Sequence, residues 1–333
     1  MPMNVYAGDN KKMLNMLILE ILKDYTDTEH RLTQQEIIDL LKLNYGASCD
    51  RRSVRNNIRS LQDMGYEIAM ERGCYLAERD FEDAELRMLI DSVLFSKNLS
   101  GVQAKRLIEK LKGFGNRYFH AKVAHVSNLP ELFHSDNKQV MVALDTLNDA
   151  IEEKKKVSFI YNCYGTDFKL HPRRDEPYIV NPYHMVANNG RYYLIGNYDK
   201  YDDLSHYRID RITSVTMLSE QVKPKKDVRE FAGGWSLPKH MAEHIYMYSG
   251  DSVTVKFIAD TDLMDELIDW FGRDFHIKKE SENKMLVTLR CNERAMKYWA
   301  LQYGGHIEIK EPQSLRETVK ATVLDMAKKY GGE

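Results

Sequence analysis

Between Asp50 and Leu61 the chain reads Asp-Arg-Arg-Ser-Val-Arg-Asn-Asn-Ile-Arg-Ser-Leu, a pattern that a helix buries on one side only. At about 100° per residue, Val54, Ile58 and Leu61 fall together, and Arg52, Arg55, Asn56 and Arg59 fall opposite. Such a helix must lay one face on a small core and leave a cationic face in water. The flanking residues supply that core. Met13, Leu14, Leu17, Ile18, Ile21 and Leu22 recur at helical spacing. A second helix starts at Leu32-Thr33-Gln34-Gln35-Glu36, where Thr33 and Glu36 have the spacing of a capping box, and it stops at Asn44-Tyr45-Gly46. Asp50 is a good cap for the arginine-bearing helix, with Ser48 as a competitor. After the stop at Met64-Gly65, two short β-like runs flank the Gly73 turn, which predicts a hairpin.

Three helices and a hairpin in this order make a winged helix-turn-helix, with the arginine-bearing helix as its reader. Arg and Asn are the side chains that reach guanine and adenine edges, and Arg also holds phosphates. The candidate DNA contacts are Arg51, Arg52, Ser53, Arg55, Asn56, Asn57 and Arg59, with Arg72 in the hairpin turn. A net charge of −2 does not oppose this, because the phosphate field is met by a local patch.

Other features narrow the class. The four cysteines form no CxxC pair, which argues against a zinc site or a disulfide framework and for a reducing compartment. There is no signal-peptide pattern, and the most apolar helix, residues 13 to 22, is too short to span a bilayer; the expected location is the cytoplasm, with no membrane contact. The chain shows no paired nucleophile and base, no phosphate-binding glycine loop and no metal set, so neither an enzyme nor a cofactor is expected. His240 and His244, four apart, suit a helical metal pair but lack a third ligand of obvious spacing.

Residues 81 to 97, the stretch from Ser100 through Leu111, and residues 137 to 155 read as helices expected to bridge domains and make dimer contacts. Between them, Gly113 to Ser135 is an aromatic-rich and histidine-rich stretch, expected to be a loop. From Lys156 the texture turns to strands: 157–161, 167–171, 178–182, 184–187, 191–198 and 205–212, with an Asn188-Asn189-Gly190 turn. Short strands with such turns predict a small bent barrel.

Two runs here, Gly190-Arg191-Tyr192-Tyr193-Leu194-Ile195-Gly196 and His206-Tyr207-Arg208-Ile209-Asp210-Arg211-Ile212, resemble the signature of WYL-domain transcriptional regulators. Tyr192 stands where that family's name-giving triplet has Trp, and is expected in the core; Asn181-Pro182-Tyr183-His184-Met185 fits the family's strand entry. The resemblance implies an Sm/SH3-like barrel that senses a nucleic acid fragment or nucleotide-like effector. The residues it places at the ligand are Tyr183, Tyr193 and His206 for a base, and Arg208 and Arg211 for phosphate oxygens. In a regular strand Arg208 and Arg211 face opposite sides, so they share a ligand only if the strand bends or ends between them. An Arg–Asp network holding the barrel is the structural alternative for the same run.

The C-terminal part reads β, α, β, β, α, β and a last helix, a ferredoxin-like α+β layer that in the family aids dimerisation. The expected architecture is therefore α+β and multidomain. Residues 1–79 form the winged helix-turn-helix, 80–155 a helical linker, 156–222 the WYL-like barrel, 223–249 a linker and 250–333 the C-terminal extension. The expected protein is a homodimeric regulator on a double-stranded DNA operator. The alternative is a nucleic-acid-sensing accessory protein that modulates a partner enzyme without regulating promoters.

Overall fold

The computed structural model describes residues 13–122 and 139–331. It divides into two compact units, one ending at Asp136 and the other beginning at Asn137.

The first unit opens with helices α1 (Leu14–Tyr25), α2 (Gln34–Tyr45) and α3 (Arg51–Asp63), followed by an antiparallel hairpin of β1 (Ile68–Ala69) and β2 (Tyr75–Leu76). Ile18, Ile21 and Leu22 of α1, Ile37 and Leu41 of α2, and Val54 and Ile58 of α3 are wholly buried in one core. The capping box is present: the Glu36 N–H donates to the Thr33 hydroxyl at 3.2 Å, and the Thr33 N–H donates to the Glu36 carboxylate at 2.7 Å. Asp50, rather than Ser48, caps α3 by accepting from the Ser53 N–H at 2.7 Å. The hairpin turn is tight. Arg72 and Gly73 have φ of 59° and 119°, and a Cβ on Gly73 would lie 2.8 Å from the Cβ of Arg31.

Helices α4 (Asp83–Phe95), α5 (Gly101–Lys112) and α6 (Arg117–Lys122) follow, with Leu86, Ile90, Ile108 and Phe119 as a small core of their own. Part of the expected aromatic loop is thus helical: Asn116 starts α6 by accepting from the Phe119 N–H at 2.8 Å, and Tyr118 stacks on His30. His125, Phe133 and His134 lie outside the described residues.

The second unit begins with α7 (Val140–Glu152) and continues as β3 (Lys155–Tyr164), β4 (Leu170–Pro172), β5 (Tyr178–Asn188), β6 (Arg191–Tyr198), β7 (Leu204–Arg208) and β8 (Ile212–Gln221). Val140, Ala143, Leu147 and Ala150 are buried with Val157 and Phe159, so α7 is a layer on the sheet and not a free bridge. The sheet order is β4-β3-β5-β6-β7, with β8 on β3. Two differences from expectation have local causes. β5 runs through Pro182 as one strand because its register shifts between Pro182 and His184. β8 escaped notice because its Thr and Ser residues leave little apolar alternation. The following segment, expected as a linker, packs on the sheet: Val228 and Met247 are buried with Tyr183, Ile195 and Leu204, and it carries α8 (Leu237–Glu243).

The C-terminal part has β9 (Ser252–Asp260), α9 (Met264–Phe271), β10 (His276–Lys279), β11 (Lys284–Asn292), α10 (Glu293–Gln302), β12 (Ile307–Glu311) and α11 (Gln313–Tyr330). Its strands are ordered β10-β11-β9-β12 and all pairs are antiparallel, the split βαβ arrangement that the succession of elements predicts. Phe257 and Trp299 fill its centre. Among the described residues no helix is long and apolar enough to cross a membrane.

Candidate nucleic-acid interface and effector cavity

Helix α3 presents two chemically distinct sides. Val54, Ile58 and Leu61 are buried, whereas Arg51, Arg52, Arg55, Asn56 and Arg59 are exposed. Steps of three and four residues put Arg52, Arg55 and Arg59 on one face. Among the described residues none of these three is in an ion pair, so their guanidinium groups remain available to a phosphate or a base edge. Arg51 instead reaches Gln35 of α2 at 3.3 Å. Asn57 is half-buried and donates to the Ser53 carbonyl at 2.8 Å, and Ser53 is half-buried beside it; these two are set back from the exposed face. Arg72 is exposed at the hairpin turn.

In the second unit a cavity of about 520 Å³ and another of about 780 Å³ flank the β7 end of the sheet. The larger is lined by Arg173, Arg174, Arg208, Arg211 and Arg294, by Tyr161, Tyr178, Tyr193, Tyr198, Tyr201, Tyr207, Tyr246 and Tyr248, and by no carboxylate. Its size suits a nucleotide-sized molecule. Five arginines around one cavity, only Arg208 of them bound to a carboxylate, attract anions, and the tyrosine rings offer faces for a planar group.

The geometry of β7 explains how Arg208 and Arg211 come together. The strand ends at Arg208, and Ile209–Arg211 turn as a single 3-10 turn before β8 begins. That turn brings Arg211 to the cavity that Arg208 also lines. Their situations differ. Arg208 grips the buried Asp210 carboxylate through Nε at 3.1 Å and Nη2 at 2.7 Å, and Arg191 adds a contact at 2.9 Å. Burial works against the charge of Arg208, but its two bonds to Asp210 outweigh it and raise its pKa. Arg191 has one bond; burial and then the neighbouring Arg208 charge depress its pKa. Both remain cations at neutral pH. Arg211 is unspent: its Nε is buried with no hydrogen-bond partner. Arg174 is committed to the Tyr198 hydroxyl at 2.9 Å and to the Glu176 and Pro177 carbonyls, whereas Arg173 and Arg294 lie over the rings of Tyr161 and Tyr248.

Of the five residues expected at the ligand, Tyr193, Arg208 and Arg211 line this cavity, Tyr183 does not, and His206 is shared. Tyr183 is buried against Phe231 and donates its hydroxyl to the Lys223 carbonyl at 2.7 Å, because the register shift in β5 turns it toward the α8 side of the sheet. His206 lies on the wall of the larger cavity, but its ring packs with His240 and His244. Tyr192, expected in the core, is 38% exposed. The reading of the motif missed Arg173, Arg174, Tyr178 and Arg294. The Arg173-Arg174 doublet after Pro172 was a visible signal; Arg294, at the start of α10, had none, since only the fold brings it to the sheet.

Residues 142–217, from α7 to β8, match the family model of the WYL domain, and residues 251–327 match that of the WCX domain. The chain thus carries a WYL domain followed by a WCX domain. Its WYL domain spans the sheet with the arginine cavity, and its WCX domain is the split βαβ layer that supplies Arg294. The chain is 23% identical over 199 residues to YobV, an HTH-type transcriptional regulator of Bacillus subtilis (strain 168); the match covers 59% of this chain and 58% of that protein. Among solved structures it is similar to proteasome accessory factor B/C of Arthrobacter aurescens, at 14% identity and a TM-score of 0.30, over 99% of this chain and 51% of that one. It is also similar to a CRISPR Cas-related protein, at 14% identity and a TM-score of 0.40, over 98% of this chain and 88% of that one.

Proposed function

We propose that this WYL-domain protein is a DNA-binding transcriptional regulator whose operator affinity is set by an anionic effector in the arginine cavity. The observation that carries the DNA half is the exposed face of α3, where Arg52, Arg55 and Arg59 stand unpaired on a helix anchored by Val54, Ile58 and Leu61. The first three helices and the hairpin act as a winged helix-turn-helix, α3 enters the major groove, and Arg72 approaches the backbone from the wing. The likeness to an HTH-type regulator supports the same reading. The bent sheet acts as an Sm/SH3-like barrel. Within it Arg211, with its idle Nε, is the effector's anchor, and Arg208 keeps the wall in shape through Asp210. The effector class that fits arginines and tyrosine faces is a nucleotide or a short nucleic acid.

The working unit is a homodimer on two half-sites, and the effector acts by preferring one arrangement of the two reading helices. The domains divide near residues 79, 137 and 249, with α7 and the segment after β8 belonging to the barrel domain. Selection of bound fragments from genomic DNA, followed by binding titrations with Arg55→Ala and Arg211→Ala, tests the proposal. Discrete sites, weakened by Arg55→Ala and untouched by Arg211→Ala except in their response to effector, are expected. Uniform binding to all fragments, indifferent to Arg55, would contradict it.

A further inference from the structure

His240 and His244 sit one turn apart at the end of α8, a spacing that aims two imidazoles at one point, and β7 brings His206 to them. The ring centroids are 5.0 Å apart for His206 and His240, 5.1 Å for His206 and His244, and 4.1 Å for His240 and His244. One nitrogen of each lies within 4.8 Å of the others. We propose that His206, His240 and His244 form a binding site for a divalent transition-metal ion of the Zn²⁺ class.

The protons of the ion-free cluster do not balance. Trp235 Nε1–H donates to His240 Nδ1 at 3.1 Å, which puts the His240 proton on Nε2. That Nε2–H meets His206 Nε2 at 2.8 Å, so the His206 proton must sit on Nδ1, which is closed to solvent and has no partner. His244 is held by Nδ1–H donation to the His240 carbonyl at 2.9 Å, and the Nε2 of the neutral ring then carries a lone pair that faces the Gly250 carbonyl, another acceptor, at 3.4 Å. As neutral rings, the half-buried His206 and the buried His240 and His244 thus leave a donor without an acceptor and a lone pair facing a carbonyl. A cation takes up lone pairs, and a His fixed by Nδ1–H donation to a carbonyl is the arrangement that orients a metal ligand.

The spacing of the ring nitrogens agrees with this. Nitrogens about 2.0–2.1 Å from Zn²⁺ stand about 3.4 Å apart in a tetrahedron, a spacing that small ring rotations reach from this cluster. His240 and His244 line the 520 Å³ cavity together with Glu230, whose Oε2 is buried without a partner. Three nitrogens leave the fourth position of a tetrahedral site open, toward water or a ligand in that cavity. Coordination through His240 Nε2 moves the His240 proton to Nδ1, so the Trp235 indole must release it. Trp235 also stacks on His184, so metal binding shifts a tryptophan in a defined environment.

The test is titration of the full chain, stripped with chelator and dialysed, with ZnCl₂ by calorimetry and by tryptophan fluorescence, and with CoCl₂ by visible absorption. The expected result is one ion per chain, a tetrahedral Co²⁺ spectrum and a fluorescence change that Trp235→Phe abolishes. Because the Trp235 N–H occupies the His240 Nδ1 lone pair that must take up the proton on metal binding, Trp235→Phe should bind Zn²⁺ several-fold more tightly. His244→Ala and His206→Ala should each weaken binding at least tenfold, with far-ultraviolet circular dichroism confirming that both fold. Absence of binding at micromolar Zn²⁺, or binding unchanged in both folded variants and indifferent to Trp235→Phe, would overturn the proposal.

Discussion

Asp210 is the residue whose removal the structure predicts most sharply. It is 2% exposed and accepts from two arginines, through contacts of 2.7 and 3.1 Å from Arg208 and 2.9 Å from Arg191. Asp210→Ala leaves two guanidinium groups facing each other with no anion between them. Removing one member of a buried ion pair costs about 3–5 kcal/mol. The arginine side chains remain 20% and 27% exposed and regain some hydration, which places the expected loss near the low end, about 3 kcal/mol. At an m-value of about 2 kcal/mol/M this moves the urea midpoint down by about 1.5 M. All three tryptophans, Trp235, Trp270 and Trp299, lie in the second unit, so their fluorescence reports on the unit that contains Asp210. Asp210→Ala with Arg208→Met removes one uncompensated cation and should recover part of the loss. A loss under about 1 kcal/mol, or no recovery in the double variant, would refute the idea that Asp210 holds these arginines by charge.

Two further outcomes follow from local geometry. Cys291 is buried beside Glu243, and burial first, then that carboxylate, push its thiol up to about 12; at pH 8 thiol reagents should leave Cys291 and buried Cys74 unmodified in the native protein while reaching half-buried Cys163, as read by mass spectrometry of the peptides. Thr33→Ala deletes the side-chain half of the α2 capping box and should lower the stability of the first unit by about 1 kcal/mol in a denaturant titration followed by circular dichroism; no change would mean that the cap contributes nothing.

Local signals in the sequence were legible because the physics behind them is local. The Thr33–Glu36 box, the Gly46 stop, the Asp50 cap and the two-sided character of α3 each depend on residues within one or two turns, and each appears where expected. The order of β9 to β12 was legible for the same reason, since strands and helices there are separated by clear turns. What escaped depends on contacts between distant segments. A one-residue register shift in β5 decided that Tyr183 faces the core, and no spacing rule announces such a shift. The third histidine beside His240 and His244 was in view as a ligand residue, but its place in that cluster depends on the packing of 223–247 onto the sheet. Arg208 and Arg211 can meet only if the strand bends or ends after Arg208, and the 3-10 turn at Ile209–Arg211 supplies that bend.

The central claim is that α3 reads DNA. The most direct measurement is the affinity of the full chain and of Arg55→Ala and Arg59→Ala for its selected site, titrated against salt by fluorescence anisotropy. If the arginines contact bases, each variant should lose about 1–3 kcal/mol, and if one contacts only phosphate the salt slope should fall by about one while specificity is kept. Full affinity and an unchanged salt slope in both variants would contradict the account.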